Sequence, residues 1–187
     1  MLLSMPQLTD PNFARSVVLL CKHSSEGGAF GFIVNRPLLT TGPVVVEVRT
    51  DGPNIGHKSR ETSDRELQVW LGGPVDPQRT LILVGHGHDS NEAECGMRIA
   101  DGLALSTSPD LLHRLLGSSP PSQARLIVGY AAWSPGQLEA ELEASAWLIS
   151  DVSHDLIFST PPDSMWETAI RRLGAEPSAL QTSRGVH

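Results

Sequence analysis

Apolar residues in this chain fall into short runs punctuated by Gly, Pro, Asn and Asp, and only a few stretches show helical spacing. Leu2 to Met5 reads as a short strand stopped by Pro6. Thr9-Asp10-Pro11-Asn12 makes a turn, with Phe13 an anchor into the core. The run SVVLLCK, Ser16 to Lys22, predicts a buried strand; Ser24 to Gly28 supplies a hairpin turn, and Ala29 to Val34 returns beside it. Asn35-Arg36-Pro37 ends that strand, because proline brings no N–H to a ladder. Further strands are expected over Glu66 to Leu71, Thr80 to Val84, Met97 to Ala100, Leu103 to Leu105 and Arg125 to Tyr130, with a last one at Asp155 to Phe158. Asp101-Gly102, between two of these, marks a tight hairpin.

Helical spacing appears in three places, each opened by Ser or Thr followed by Pro. Ser108-Pro109-Asp110 leads a helix with Leu111, Leu112, Leu115 and Leu116 on one side and Gly117 as its stop. Thr160-Pro161-Pro162-Asp163 leads another, whose Met165, Trp166, Ala169, Ile170 and Leu173 share a face. The central stretch, Leu126 to Ile149, reads as strand, sharp stop, helix and second strand. Ser134 suits the N-cap, Pro135 the first helical position, and Gln137 reaches back as a capping box. At 100° per residue Leu138 and Leu142 share one face while Ala140 and Ala144 lie nearly opposite. That pattern predicts a helix packed on more than one side, with Glu139 and Glu143 in a narrow seam and Glu141 on the other side.

The 187 residues suit one domain with a real core. A net charge of −7 argues against a broad phosphate-binding surface. Apolar runs fall far short of the ~20 residues a membrane span needs, and the first six residues lack the basic start and apolar run of a signal peptide. Two cysteines, Cys21 and Cys95, give no disulfide framework and no metal motif. The expected compartment is a bacterial-type cytoplasm, without membrane association.

Four stretches, in order, carry a resemblance. They are MPQLTDPNFARSVVLLCKHSSEGGAFGFIVNRP (5–37), LGGPV (71–75), ADGLALSTSPDLL (100–112) and GYAAWSPGQLEAELEASAWL (129–148). Together they are similar to the YqgE/AlgH family of bacterial proteins, over about residues 1–37 and 69–175. The resemblance implies a single α+β domain over residues 1–176, with antiparallel-rich mixed sheets packed around a central helix and further helices flanking them. Residues 177–187 would form a flexible tail. Residues 38–67 depart from the family pattern: a helix-favouring stretch is replaced by Pro43 to Val48, which prefers strand, and Asp51 to Arg65 is expected as an exposed, mobile loop.

The resemblance also implies a non-catalytic regulatory or interaction protein, one branch of the family being described as a transcriptional regulator linked to alginate synthesis. The acidic chain offers no helix-turn-helix with a basic recognition helix, so regulation through a protein partner is expected rather than direct nucleic-acid binding. Two alternatives stand beside it: a small-molecule or anion-binding module, and an enzyme. No cofactor and no metal are expected, and the oligomeric state is open.

Candidate chemistry is sparse. Arg36 would meet an anion, with Asn35 beside it and backbone N–H groups from the Gly72-Gly73 turn assisting; otherwise Arg36 makes a structural ion pair and the glycines shape a turn. Tyr130 and Trp133 offer an aromatic ledge or simple core packing. Glu139 with Glu143, one turn apart, is either a partly buried carboxylate pair or a solvated seam. Cys21 and His23, two apart on a strand, form a conceivable thiol–imidazole pair, against the reading of a small buried hydrophobe. His86-Gly87-His88-Asp89 has two histidines at a strand end but no further ligand at usual spacing, so a solvated loop is favoured over a metal site. The phosphate-binding motifs GxxxxGK[ST] and GxGxxG are absent, leaving nucleotide binding without a motif.

Overall fold

The structure, a computed structural model, describes residues 1–38, 44–48, 59–63, 68–85, 96–117 and 120–182. In chain order the first strands are β1 (Leu2–Ser4), β2 (Val17–Ser24), β3 (Gly28–Ile33), β4 (Pro37–Leu38), β5 (Val44–Val48) and β6 (Ser59–Ser63). Then come β7 (Val69–Leu71), β8 (Val75–Gly85), β9 (Met97–Ala100), β10 (Leu103–Ser106), helix α1 (Pro109–Leu116) and β11 (Ala124–Trp133). The chain closes with α2 (Gln137–Glu143), β12 (Trp147–Ile149), α3 (His154–Ser159), α4 (Pro162–Arg172) and α5 (Pro177–Thr182). This mixture of helices with largely antiparallel sheet is an α+β fold.

Contacts gather into two compact units, Met1–Arg36 with Leu71–Pro77 and Gly129–His187, and Pro37–Trp70 with Gln78–Val128. In the first unit the strand order is β12-β1-β2-β3-β11. Antiparallel registers set Leu2 opposite Ile149 and Val18, Leu20 opposite Gly31, and Ala131 opposite Gly31. Both faces of its central strands are dry. Leu2, Val18 and Ile33 join Trp133, Leu138 and Trp147 in one cluster, while Leu3, Val17, Leu19 and Phe32 are as fully buried. Burial on two faces explains the unbroken apolar run VVLL, where a one-sided strand would alternate. Helix α4 buries Met165, Trp166, Ala169 and Ile170, and the Trp166 indole N–H donates to the Ser4 carbonyl at 2.9 Å.

In the second unit β8 pairs with β10 and β10 with β9, while β4 pairs with β7, all antiparallel. Helix α1 lays Leu111, Leu112 and Leu115 on Val69, Ile82, Val84 and Leu126. It starts as its sequence predicts: the Ser108 hydroxyl accepts from the Leu111 N–H, Pro109 opens the helix, and Gly117 caps its end.

Several expectations are corrected. Helix α2 is one-sided: Leu138 is buried and Leu142 half-buried, but Ala140 and Ala144 are exposed, so no sheet among the described residues covers the alanine face. Its N-cap is Gly136, in a left-handed conformation, and only half of the capping box forms, with Gln137 Oε1 accepting from the Ser134 N–H at 3.0 Å. Asp155 to Phe158 is helical, within α3, because Ser153 caps the Leu156 N–H and Asp155 sits in the first turn. Leu173 is 42% exposed, since α4 stops at Arg172. Within the expected mobile loop, residues 59–63 are strand β6, which gives Val44–Val48 an antiparallel partner and sets Arg60 opposite Glu47. The expected tail begins with α5, whose first turn bonds Ala179 and Leu180 back to the Glu176 carbonyl. The cluster at residues 86–89, Cys95 and the rest of the 51–65 loop lie outside the described residues.

Two glycines give a test of the fold. Gly73 has φ +153°, and a Cβ there would come within 2.3 Å of the Tyr130 carbonyl atoms. Gly136 also has positive φ, +76°, but nothing lies within 4 Å of its would-be Cβ. Gly136→Ala should therefore cost only the left-handed strain, about 1–2 kcal/mol. Gly73→Ala adds a backbone clash and should cost on the order of 4 kcal/mol. Urea unfolding of both variants checks this; equal losses would mean that β11 gives way without cost.

Candidate functional site

The side chains of Asn35 and Arg36 converge on one segment, the turn from Asp10 to Arg15. Asn35 Oδ1 accepts from the Val17 N–H at 2.9 Å and its Nδ2 donates to the Arg15 carbonyl at 2.9 Å. Arg36 donates to the carbonyls of Pro11 at 3.1 Å and Ala14 at 2.9 Å. Burial draws the Arg36 pKa down while Asp10 pulls the other way. Within the turn Asp10 accepts from the N–H groups of Asn12, Phe13 and Ala14. Phe13, half-buried, packs against the core, edge-on to Trp147 with ring centroids 5.6 Å apart and tilted against Trp133 at 6.2 Å.

The turn ends at Arg15, a non-glycine residue with φ +52°. Such a conformation persists only where the surroundings over-determine it, and here the Asn35 amide bonds Arg15's own carbonyl. The result places the Arg15 guanidinium 4.9 Å from the centroid of the Trp166 ring, with Nη2 paired to Glu167. Beside it lies a cleft of about 320 Å³ lined by Ser4, Met5, Pro6, Leu8, Ala14, Arg15 and Trp166. That size is at the small end of ligand pockets. Three apolar side chains (Met5, Pro6, Leu8) and an aromatic ring surround one cation, a composition suited to holding a small amphipathic molecule.

The other expected site residues sit elsewhere in the same unit. The Gly72 carbonyl accepts from the Ile33 N–H at 2.8 Å. The space beside Gly73 is filled by the backbone of Tyr130, and the Tyr130 ring stands edge-on to Phe30 at 5.8 Å. Trp133 is buried in the core. Glu139 meets His23 across 2.7 Å at an exposed position. A hydrogen bond from its own backbone N–H, and then His23, hold the Glu139 carboxyl below the usual range. Asn35, Arg36 and Trp133 therefore act on the Asp10–Arg15 turn, directly or through Phe13, and none of the seven lines the cleft.

Two further arrangements bear on chemistry. Burial pushes the Cys21 thiol up to about 12, and its sulfur sits 3.5 Å from the Leu19 carbonyl at the bulge between β2 and β3. With the thiolate suppressed and His23 turned to Glu139, the thiol–imidazole pair does not form. Glu141 collects three donors: the indole N–H groups of Trp133 at 2.9 Å and Trp147 at 2.7 Å share its Oε2, and Gln137 Nε2 donates to Oε1 at 2.9 Å. In the second unit, buried Arg125 stacks its guanidinium 3.7 Å over the Trp70 ring, and desolvation lowers its pKa to about 10. Arg15, Trp166 and Glu141 were not singled out by sequence. The signal for Glu141 was its position between two tryptophans whose indole N–H groups each need a partner.

The structure is that of an α+β protein with a small cleft lined by a single cation and, among its described helices, none long and apolar enough to cross a membrane. The chain belongs to the AlgH-like family, which it matches over residues 1–178. A UPF0301 protein of Myxococcus xanthus is 38% identical over 187 residues, covering 100% of this chain and 96% of that relative. A UPF0301 protein of Anaeromyxobacter sp. (strain Fw109-5) is 40% identical, covering 98% and 92%. Among solved structures, the solution structure of the AlgH protein from Pseudomonas aeruginosa has a TM-score of 0.67 at 31% identity, covering 100% of this chain and 93% of that one. A crystal structure from Corynebacterium diphtheriae shares the fold, with a TM-score of 0.66 at 22% identity, covering 99% and 90%. The resemblance read from four stretches of sequence is family membership.

Acid should destabilise this protein progressively, and modestly, because the ion pairs involved are exposed. Arg172, then Ser153, hold Asp155 far below the usual carboxylate range; Arg15, then Arg171, hold Glu167 low; and Glu139 is low for the reasons above. Each folded pKa lies below its unfolded value, so each contribution is complete above the unfolded pKa of roughly 4 and is lost as pH falls through the folded value. The melting temperature should fall steadily below about pH 5, and Arg172→Ala should flatten that slope; a melting temperature level down to pH 3 would contradict the assignment. Removing the Glu141 carboxylate leaves two part-buried indole donors unpaired, so Glu141→Ala should cost about 2–4 kcal/mol in urea unfolding. A loss under about 0.5 kcal/mol would show that water replaces the carboxylate.

Proposed function

We propose that this protein is a non-catalytic binding protein with a regulatory role, acting through a protein partner rather than by direct contact with nucleic acid, and that a small ligand in the Arg15–Trp166 cleft governs it. The observation that carries the reading is Arg15. A left-handed backbone at a non-glycine residue costs about 1–2 kcal/mol, and Asn35 and Arg36 spend four hydrogen bonds on the carbonyls and N–H groups around it. Strain retained under that much bracing is an economical sign of a positioned functional group. In this reading Asn35 and Arg36 are positioning residues, Trp133 braces Phe13, and Gly72, Gly73, Tyr130 and Glu139 belong to the scaffold. A net charge of −7 disfavours binding a phosphate backbone, which supports regulation through protein contact.

Thermal unfolding of the full chain against a broad panel of metabolites tests this. At least one compound should raise the melting temperature by several degrees, as a ligand that favours the native state must. The shift should disappear in Arg15→Ala. A flat panel, or a shift that survives Arg15→Ala undiminished, would overturn the reading.

A further inference from the structure

We propose that the cleft is a carboxylate-recognition site, in which Arg15 grips the carboxylate of a small monoanionic ligand while Met5, Pro6 and Leu8 take its apolar body. This rests on the reading of the cleft as the binding site and adds the class of ligand. Arg15 alone carries charge among the lining residues. The backbone donors of the floor are spent: the N–H groups of Ser4, Met5 and Leu8 bond the carbonyls of Ser16, Ala146 and Met5. Polar recognition therefore falls to the guanidinium. Nη2 gives one of its two N–H groups to Glu167, and among the described residues no hydrogen bond engages Nε or Nη1. The second Nη2 N–H, with its neighbour on Nε or Nη1, leaves one planar fork of parallel donors, which matches the two oxygens of a carboxylate as a lysine could not.

Charge sets the valence. Arg15 and Arg171 share Glu167, so the three side chains carry one net positive charge, which a single carboxylate balances and the dianion of a phosphate monoester exceeds. Size and lining set the body: about 320 Å³ walled by a thioether, a pyrrolidine ring and a leucine suits a short aliphatic or small branched chain.

The experiment is a titration of the full-length, isotope-labelled protein with hexanoate, hexanamide and hexyl phosphate, followed by backbone and indole N–H resonances. Hexanoate should move the resonances of Ser4, Leu8, Arg15 and the Trp166 indole, and should bind roughly tenfold or more tightly than hexanamide. Arg15→Lys, which keeps the charge but loses the fork, should weaken hexanoate and leave the resonances of the second unit unchanged, which shows that the fold is intact. Equal affinity for hexanoate and hexanamide would overturn the carboxylate assignment while leaving the cleft a binding site. Tighter binding of hexyl phosphate would overturn the valence argument in the same way. Saturating amounts of all three without movement at the cleft would overturn this inference, and a flat metabolite panel alongside it would take the binding reading down as well.

Discussion

The first unit depends on how one carboxamide closes the backbone where β2 begins. A chain entering a central strand from a tight turn leaves an N–H and a carbonyl without ladder partners, and buried orphans of that kind are costly. Asn35 supplies both missing partners at once, accepting from Val17 and donating to Arg15. Because the side chain is an amide, it stands in for a strand that is not there. Arg36 extends the same service to the carbonyls of Pro11 and Ala14. At Asn35, aspartate could meet only the acceptor demand and lysine only the donor demand.

From that closure the rest of the region follows. With the turn fixed, Phe13 has one place to go, between Trp133 and Trp147, and the two indole rings are themselves locked by the shared Glu141 oxygen. With the Arg15 carbonyl held, its side chain is delivered over Trp166, whose own N–H is tied to β1 through Ser4. The backbone and the aromatic ring that bound the cleft are thus held by packing and hydrogen bonding, so a ligand there would lose less entropy than on a mobile surface.

Much of this fold was legible in the sequence, and the misses have physical causes. Helix α1 was readable because Ser108, Pro109 and Gly117 are local signals that act within a turn of themselves. Phe13 was readable as an anchor because nothing else in a polar turn is apolar. The α3 segment was misread because Leu156-Ile157-Phe158 is too short a run for periodicity to choose between strand and helix, although the Ser153 cap was there to decide it. Helix α2 was misread because alanine is as acceptable in water as in a core, so an alanine face carries little information about what covers it. The roles of Asn35, Arg36 and Glu141 were hidden for another reason. Their partners are backbone carbonyls, a backbone N–H and indole N–H groups brought together by tertiary structure, and a carbonyl leaves no mark in a sequence.

The bulge in β2 has a consequence for experimental work on this protein. A half-buried thiol raised to about 12 holds little thiolate near neutral pH, so it reacts slowly with disulfide reagents until the strand around it loosens. Cys21 is therefore a native reporter for local loosening at the β2 bulge. Its labelling rate, followed site by site in a mass spectrometer, tracks that end of the β2–β3 ladder without any probe being introduced.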